Sequence, residues 1–176
     1  MKILESERLY FRRLVMEDLD ALYKLYSNPE IRQYFPEGVL NHEETKEELK
    51  WFLNGHPKHP ELGLWATIHK PSGKFIGRCG LLPWTIEGQN EVEIAYLLDK
   101  EFWGQGLASE GALAIRDYAF KKLGLLRLVC LIDPKNIASQ KVAEKIGMIL
   151  EKQVDGIDGD NYPTLIYAIN KDHGKT

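Results

Sequence analysis

Glu91-Val92-Glu93-Ile94-Ala95-Tyr96-Leu97-Leu98-Asp99, followed within four residues by Trp103-Gly104-Gln105-Gly106-Leu107-Ala108-Ser109, is the stretch whose reading decides the fold. Its first half alternates as a strand. Val92, Ile94, Tyr96 and Leu98 point one way, and Glu91, Glu93, Ala95 and Leu97 the other. Its second half sets two glycines just before a long helical segment, Leu107 to Lys122, which Gly124 ends. A glycine-bearing turn at a helix N-terminus exposes unpaired backbone N–H groups at the positive end of the dipole, which suits a phosphate or pyrophosphate. Gly111, Ala112 and Ala114 keep the helix slim enough to lie close on a sheet.

Upstream, Arg8 to Leu14 reads as a strand, and Glu17 to Ser27 as a helix with Leu19, Leu22, Tyr23 and Tyr26 at helical spacing. Asn28-Pro29 stops that helix. A second helix is expected from about His42 to Leu53, with Glu43, Glu44 and Glu47 near its positive end. Trp65 to His69 and Phe75 to Leu82 form a hairpin around Pro71-Ser72-Gly73-Lys74, and Glu87 to Asn90 turns into the quoted strand. Downstream come a strand (Leu128 to Ile132), a short helix (Asn136 to Ile146) and two strands (Met148 to Val154 and Thr164 to Ile169) around the polar turn Asp155 to Asn161. Residues 171–176 read as a tail. The expectation is one α/β domain over residues 1–176. It has a mostly antiparallel mixed sheet of about seven strands, one parallel βαβ crossover, and helices on both faces.

The whole chain bounds the function. It has 176 residues, 44% of them hydrophobic and 28% charged, and a net charge of -3. These values fit one globular domain and leave no basic footprint for nucleic acid or an anionic membrane. No run approaches the ~18 apolar residues that span a bilayer. Met1-Lys2-Ile3-Leu4-Glu5 lacks the apolar stretch of a signal peptide, so the expected compartment is the cytoplasm. Cys79 and Cys130 each sit in an apolar strand-like run and read as small core residues. The five histidines are scattered, and no metal site is expected. A monomer and a homodimer are both compatible with the sequence.

Two cofactor classes fit the glycine loop. Gly104-x-Gly106-x-x-Ser109 is a near miss to the dinucleotide fingerprint, with Asp133 after the next strand where a ribose-binding acid would lie. That fingerprint normally opens a parallel sheet, whereas this loop follows antiparallel strands. The other class is coenzyme A. Trp103-Gly104-Gln105-Gly106-Leu107-Ala108 resembles the Q/R-x-x-G-x-G/A motif of the GNAT acetyltransferases, with Trp in the first position. Together with Glu93-Ile94-Ala95-Tyr96-Leu97-Leu98 before it, the loop is similar to that of the Rim-type ribosomal-protein N-terminal acetyltransferases. Glu7-Arg8-Leu9-x-x-Arg12 followed by Glu17-Asp18 resembles the family's opening. Asp133-Pro134-x-Asn136-x-x-Ser139-x-x-Val142-Ala143-Glu144-Lys145-Ile146-Gly147-Met148 resembles its second cofactor motif. The three segments stand in register along nearly the whole chain.

The resemblance implies a GNAT-like fold and transfer of an acetyl group from acetyl-CoA to a primary amine, by direct attack in a ternary complex. The implied acceptor is a protein N-terminal α-amine of the ribosomal-protein type. The alternatives are a small amine, polyamine or antibiotic, or a non-catalytic acyl-CoA-binding module. The backbone of Tyr96, Leu97 and Leu98 is expected to pair with the pantetheine. The N–H groups of Gly104, Gln105, Gly106, Leu107, Ala108 and Ser109 are expected to hold the pyrophosphate, and Asn136 to reach the cofactor across splayed strands.

Attack of an amine on a thioester needs a base for the amine and an acid for the thiolate. Glu93 is the candidate base, directly or through a water; the alternative is an arginine partner or a solvated strand face. Many family members carry a tyrosine acid seven residues after the motif asparagine. Here that position is Ala143. Ser139 is the candidate in its place, the alternative being a small polar residue in a first helical turn. Asn136 also suits an N-cap. Glu91 and Trp84 are the candidate acceptor-binding residues.

Overall fold

Strands buried on both sides need helices on both sides. The computed structural model of the chain, which describes residues 1–172, has that arrangement. In chain order the elements are β1 (Lys2–Glu5), β2 (Leu9–Arg13), α1 (Leu19–Tyr26), α2 (Pro29–Arg32), α3 (His42–Phe52), β3 (Gly63–His69), β4 (Lys74–Ile86), β5 (Gln89–Leu98), α4 (Leu107–Lys121), β6 (Arg127–Ile132), α5 (Ile137–Lys145), β7 (Ile149–Val154) and β8 (Thr164–Asn170). The strands form one eight-stranded sheet in the order β1-β2-β3-β4-β5-β6-β8-β7, antiparallel except for β5 beside β6.

The strand the sequence reading missed is β1, a four-residue edge strand paired with β2 and too short to show a period. Asn28-Pro29 does end α1, yet Asn28 also starts α2. Its Oδ1 accepts from the N–H groups of Glu30 (2.9 Å) and Ile31 (3.4 Å), with Pro29 at the first helical position. α3 begins on a capping box in which Asn41 and Glu44 exchange hydrogen bonds. Of the expected tail, Lys171 is tied down by its Nζ donating to the Phe120 carbonyl at 3.0 Å. Residues 173–176 lie outside the described residues.

The alternation of β5 sorts the two cores. Ile94 and Leu98 join Leu9, Phe11, Ile76, Leu81 and Leu128 under Leu107, Ala112, Ile115 and Ala119 of α4. Ala95 and Leu97 join Leu64, Ala66 and Ile68 under Leu22, Leu25 and Tyr26 of α1 and Leu49 and Phe52 of α3. Each fully buried leucine or isoleucine contributes about 1.5–3 kcal/mol.

The sheet has one break. β5 and β6 lie side by side but register only at Glu93 and Val129. Beyond that pair the strands part, and the edges of residues 94–98 and 130–132 face each other without a ladder. Backbone groups at such a place need partners from elsewhere.

β3 and β4 approach closely at Gly80. A Cβ there would stand 1.9 Å from the Gly63 carbonyl oxygen. Gly80→Ala must therefore push a central strand pair apart, at an overpacking cost of roughly 1–3 kcal/mol. A fall of about 5 °C in Tm by differential scanning calorimetry is expected; an unchanged Tm would show that the two strands separate freely.

Candidate active site

The break between β5 and β6 opens into a cavity of about 440 Å³ that reaches both faces of the sheet. On the α5 face it is lined by Tyr96, Asn136 and Ser139; on the other face by Arg78, Leu82, Trp84 and Glu93. The strand period explains the division, because Glu93 and Tyr96 have opposite parity on β5. Loop residues 34–37 and Ile157, Asp160 and Tyr162 of the β7–β8 connection wall the second face.

Glu93 sits where the strands begin to part. The Trp84 indole Nε1–H donates to its Oε2 at 2.7 Å, so two of the sequence candidates meet. Burial pushes the Glu93 carboxyl up to about 7, against the opposing pull of the Trp84 hydrogen bond and the Arg78 charge. A carboxylate poised there exchanges a proton near neutral pH.

Across the break, the Tyr96 hydroxyl stands 2.8 Å from Ser139 Oγ and donates to the Ser139 carbonyl at 2.9 Å. Burial holds the Tyr96 phenol well above its ordinary range, so it remains a neutral hydroxyl. Asn136 caps α5, its Oδ1 accepting from the Ser139 N–H at 3.1 Å. Ala143 is fully buried in the core under α5, so no acid can come from that position.

The glycine loop lies at the same end of β5. Gly104 and Gly106 have φ of +73° and +76°, which residues with a Cβ adopt at a cost. Gly106 is the N-cap of α4 and supplies no side-chain cap, so the first-turn N–H groups of Leu107, Ala108 and Ser109 are left for an incoming acceptor. The Trp103 indole donates to the Leu98 carbonyl at 3.0 Å, and Arg8 donates to the Gln105 carbonyl at 3.0 Å while binding Glu110 at 2.7 Å. The unusual Trp of the motif thus ties the loop to the end of β5. The side chains of Leu97 and Leu98 are core; the Leu97 carbonyl is turned toward Gly77 of β4, and the Leu98 carbonyl toward Trp103.

Glu91 is not brought to the cavity. Both of its oxygens accept from Arg127 Nε, at 3.1 and 3.0 Å, and Arg127 also holds Glu151. At the β5 end away from the break, an arginine on the neighbouring strand claims this carboxylate. The sequence reading also missed Arg32, Arg78 and Glu48, which line the second face. An arginine inside the apolar run Phe75 to Leu82 was the available signal for Arg78. Among the described residues, no three His, Cys, Asp or Glu side chains gather as a metal site, and no helix is long and apolar enough to cross a membrane.

A mostly antiparallel sheet parted at its parallel pair, β5 beside β6, separates this chain from the doubly wound dinucleotide folds, and the family match makes it an acyltransferase. The acetyltransferase (GNAT) domain family matches residues 8–149, and the chain belongs to that family. The Bacillus subtilis protein YkkB is 35% identical over 152 residues, which are 86% of this chain and 87% of YkkB. The crystal structure of a GNAT-family acetyltransferase from Bacillus anthracis superimposes with a TM-score of 0.81 at 25% identity, covering 97% of this chain and 98% of that one. RimL, a ribosomal L7/L12 α-N-protein acetyltransferase in complex with coenzyme A, shares the fold with a TM-score of 0.78 at 22% identity, covering 99% of this chain and 100% of RimL.

Proposed function

We propose that the chain transfers an acetyl group from acetyl-CoA to the primary amine of an acceptor, in the first instance a polypeptide N-terminus, with both substrates bound together. The observation that carries the reading is the position of Glu93. It is a carboxylate raised to about 7 at the point where the β5–β6 break meets the second face. The family relation to RimL supports a protein α-amine, and so does chemistry: an α-amino group has a pKa of about 7.7–8.0, within reach of such a base, whereas a lysine lies near ~10.4.

The residues present fit acetyl-CoA. The open backbone edge of Tyr96 to Leu98 suits the pantetheine amides, the loop from Gly104 to Ser109 the pyrophosphate, and Asn136 the cofactor beside α5. Acetyl-CoA supplies an acyl carbon activated as a thioester, with a thiolate as leaving group. Glu93 takes the proton of the attacking amine. Ser139, whose hydroxyl stands 2.8 Å from that of Tyr96, gives a proton to the departing sulfur and regains one from solvent as CoA leaves. With Cys79 and Cys130 buried, the thiol of Cys130 pushed up in pKa by burial, and no Ser–His pair at the site among the described residues, direct attack is favoured over an acyl-enzyme.

Thiol release from acetyl-CoA in the presence of peptides with free or blocked α-amines tests this. Turnover is expected with the free amine only, with Ser139→Ala about tenfold slower in kcat and little changed in acetyl-CoA affinity. CoA, and not NAD, is expected to protect the protein from thermal unfolding. Protection by NAD would restore the dinucleotide reading. Binding of acetyl-CoA without transfer to any amine would leave a non-catalytic module.

A further inference from the structure

Two arginines at the far end of the cavity are buried, adjacent and largely unspent. Arg32 of α2 is 3% exposed and Arg78 of β4 is 5% exposed, and both line the cavity. Each commits one N–H to the protein. Arg78 Nε donates to the Tyr26 hydroxyl at 2.9 Å, and Arg32 Nε to the Gly38 carbonyl at 2.8 Å. Among the described residues, their terminal nitrogens donate to no protein acceptor within hydrogen-bond distance. They are also absent from the polar atoms sealed without a partner, which are Arg13 Nη1 and Thr67 Oγ1. The free ends of both guanidinium forks therefore open into the cavity.

Their charge is incompletely matched. Glu48 is engaged by the Tyr26 hydroxyl, so it answers Arg78 through that phenol. Glu37 is 65% exposed on the rim, and its carboxylate stands 3.7 Å from Arg32. The Phe35 ring lies 4.0 Å from the Arg32 guanidinium and 5.5 Å from that of Arg78, and the Tyr26 ring packs on both. Aromatic faces let two cations sit together but do not satisfy their N–H donors. A planar anion with two oxygens does, and arginine forks bind carboxylates in pairs of hydrogen bonds.

The pair shares its sheet face with Glu93. Arg78 stands opposite Leu97, and Glu93 opposite Leu82. Only Gly80 and Ala95 lie between them on that face, and both are small. Four residues of strand span about 13 Å between the Cα atoms, and the long side chains of Arg78 and Glu93 take up much of it.

The geometry points to a second subsite: the acceptor is a primary amine that carries a carboxylate a few bonds away, with the amine at Glu93 and the carboxylate on Arg32 and Arg78. This rests on the acceptor entering from the Glu93 face, as proposed above, and it names the acceptor's class. A free amino acid and a peptide N-terminus with an acidic residue next to the amine present the same chemistry.

The test has two readouts. In transfer assays, glutamate is compared with its diamide, and peptides beginning Ala-Glu with peptides beginning Ala-Gln. The acidic member of at least one pair is expected to have a kcat/KM at least tenfold higher. The pair that shows the preference identifies the source of the carboxylate. Arg78→Gln and Arg32→Gln should each bring that ratio close to one, mainly through KM, and Arg78→Lys should keep part of it. Independently of turnover, glutarate titrated calorimetrically into the CoA-saturated full chain should bind the wild type and not the Arg32→Gln protein. The second variant guards against misfolding when Arg78 leaves Tyr26 and Glu48 behind. Equal ratios in the wild type, or glutarate binding that survives both substitutions, would overturn the subsite. Glutarate binding without transfer to any amine would keep the subsite and remove the transferase reading.

Discussion

Glu93→Gln is expected to lower kcat for acetyl transfer by roughly 100- to 1,000-fold while the affinity for acetyl-CoA changes little. The substitution keeps the size of the side chain and an oxygen for the Trp84 indole to reach. It removes the proton acceptor and nothing else of comparable reach. The pH profile carries the more specific signature. A base works only when unprotonated, so wild-type kcat at saturating amine should rise with pH through about 7 and fall away below it. That acidic limb should be missing in the variant. Unchanged turnover, or a limb that persists, would show that the proton leaves by another route.

The same group has a stability cost with a definite sign. Burial raises the Glu93 pKa above its unfolded value, so the folded state holds this proton more tightly than the unfolded chain does. The folded state is favoured at low pH, and that advantage is lost as pH rises from the ordinary carboxylate range through about 7. Glu93→Gln is therefore expected to melt at a higher temperature than the wild type at pH 8, and at a similar one at pH 4. A variant that is more stable and nearly inactive marks a residue kept for chemistry.

Gly106→Val is expected to weaken coenzyme A binding by at least about tenfold, which corresponds to ~1.4 kcal/mol. At φ +76° a β-branched residue is a true outlier, so the turn must rearrange and carry the first N–H groups of α4 with it. Ligand protection reads this directly. A CoA concentration of 100 times the wild-type Kd stabilises by about 2.7 kcal/mol, and a tenfold weaker complex roughly halves that. The thermal shift on adding CoA should shrink accordingly, measured against the variant's own unliganded Tm. Full protection would mean that the anion is held elsewhere.

Much of the fold was legible because its strongest signals are periodic. Alternation in Val92 to Leu98 marked β5 and its two faces, and Gly104, Gly106 and Gly124 marked the ends of α4. What escaped was short or set by distant partners. β1 has four residues and depends on β2 for its existence. Glu91 and Glu93 are both acids on one strand face, read from the sequence as an acceptor-binding residue and a base. The two neighbouring strands separate them, β6 placing Arg127 beside Glu91 and β4 placing Trp84 against Glu93. Arg32 and Arg78 stand 46 positions apart and meet because both guanidinium groups pack on the rings of Tyr26 and Phe35. The Tyr96–Ser139 pair joins a strand to a helix across a break that no local pattern announces.

The cavity that passes through the sheet separates two kinds of inheritance. One opening is walled by Tyr96 of β5 and by Asn136 and Ser139 at the start of α5, whose positions are dictated by a ladder and a helix cap. The other adds to Arg78, Leu82, Trp84 and Glu93 of the strands a rim of residues 34–37 and Ile157, Asp160 and Tyr162, which lie between elements. Drift in those connecting segments can change which molecule is modified without disturbing how the acyl donor is seated, so relatives are free to diverge in customer while retaining one supplier.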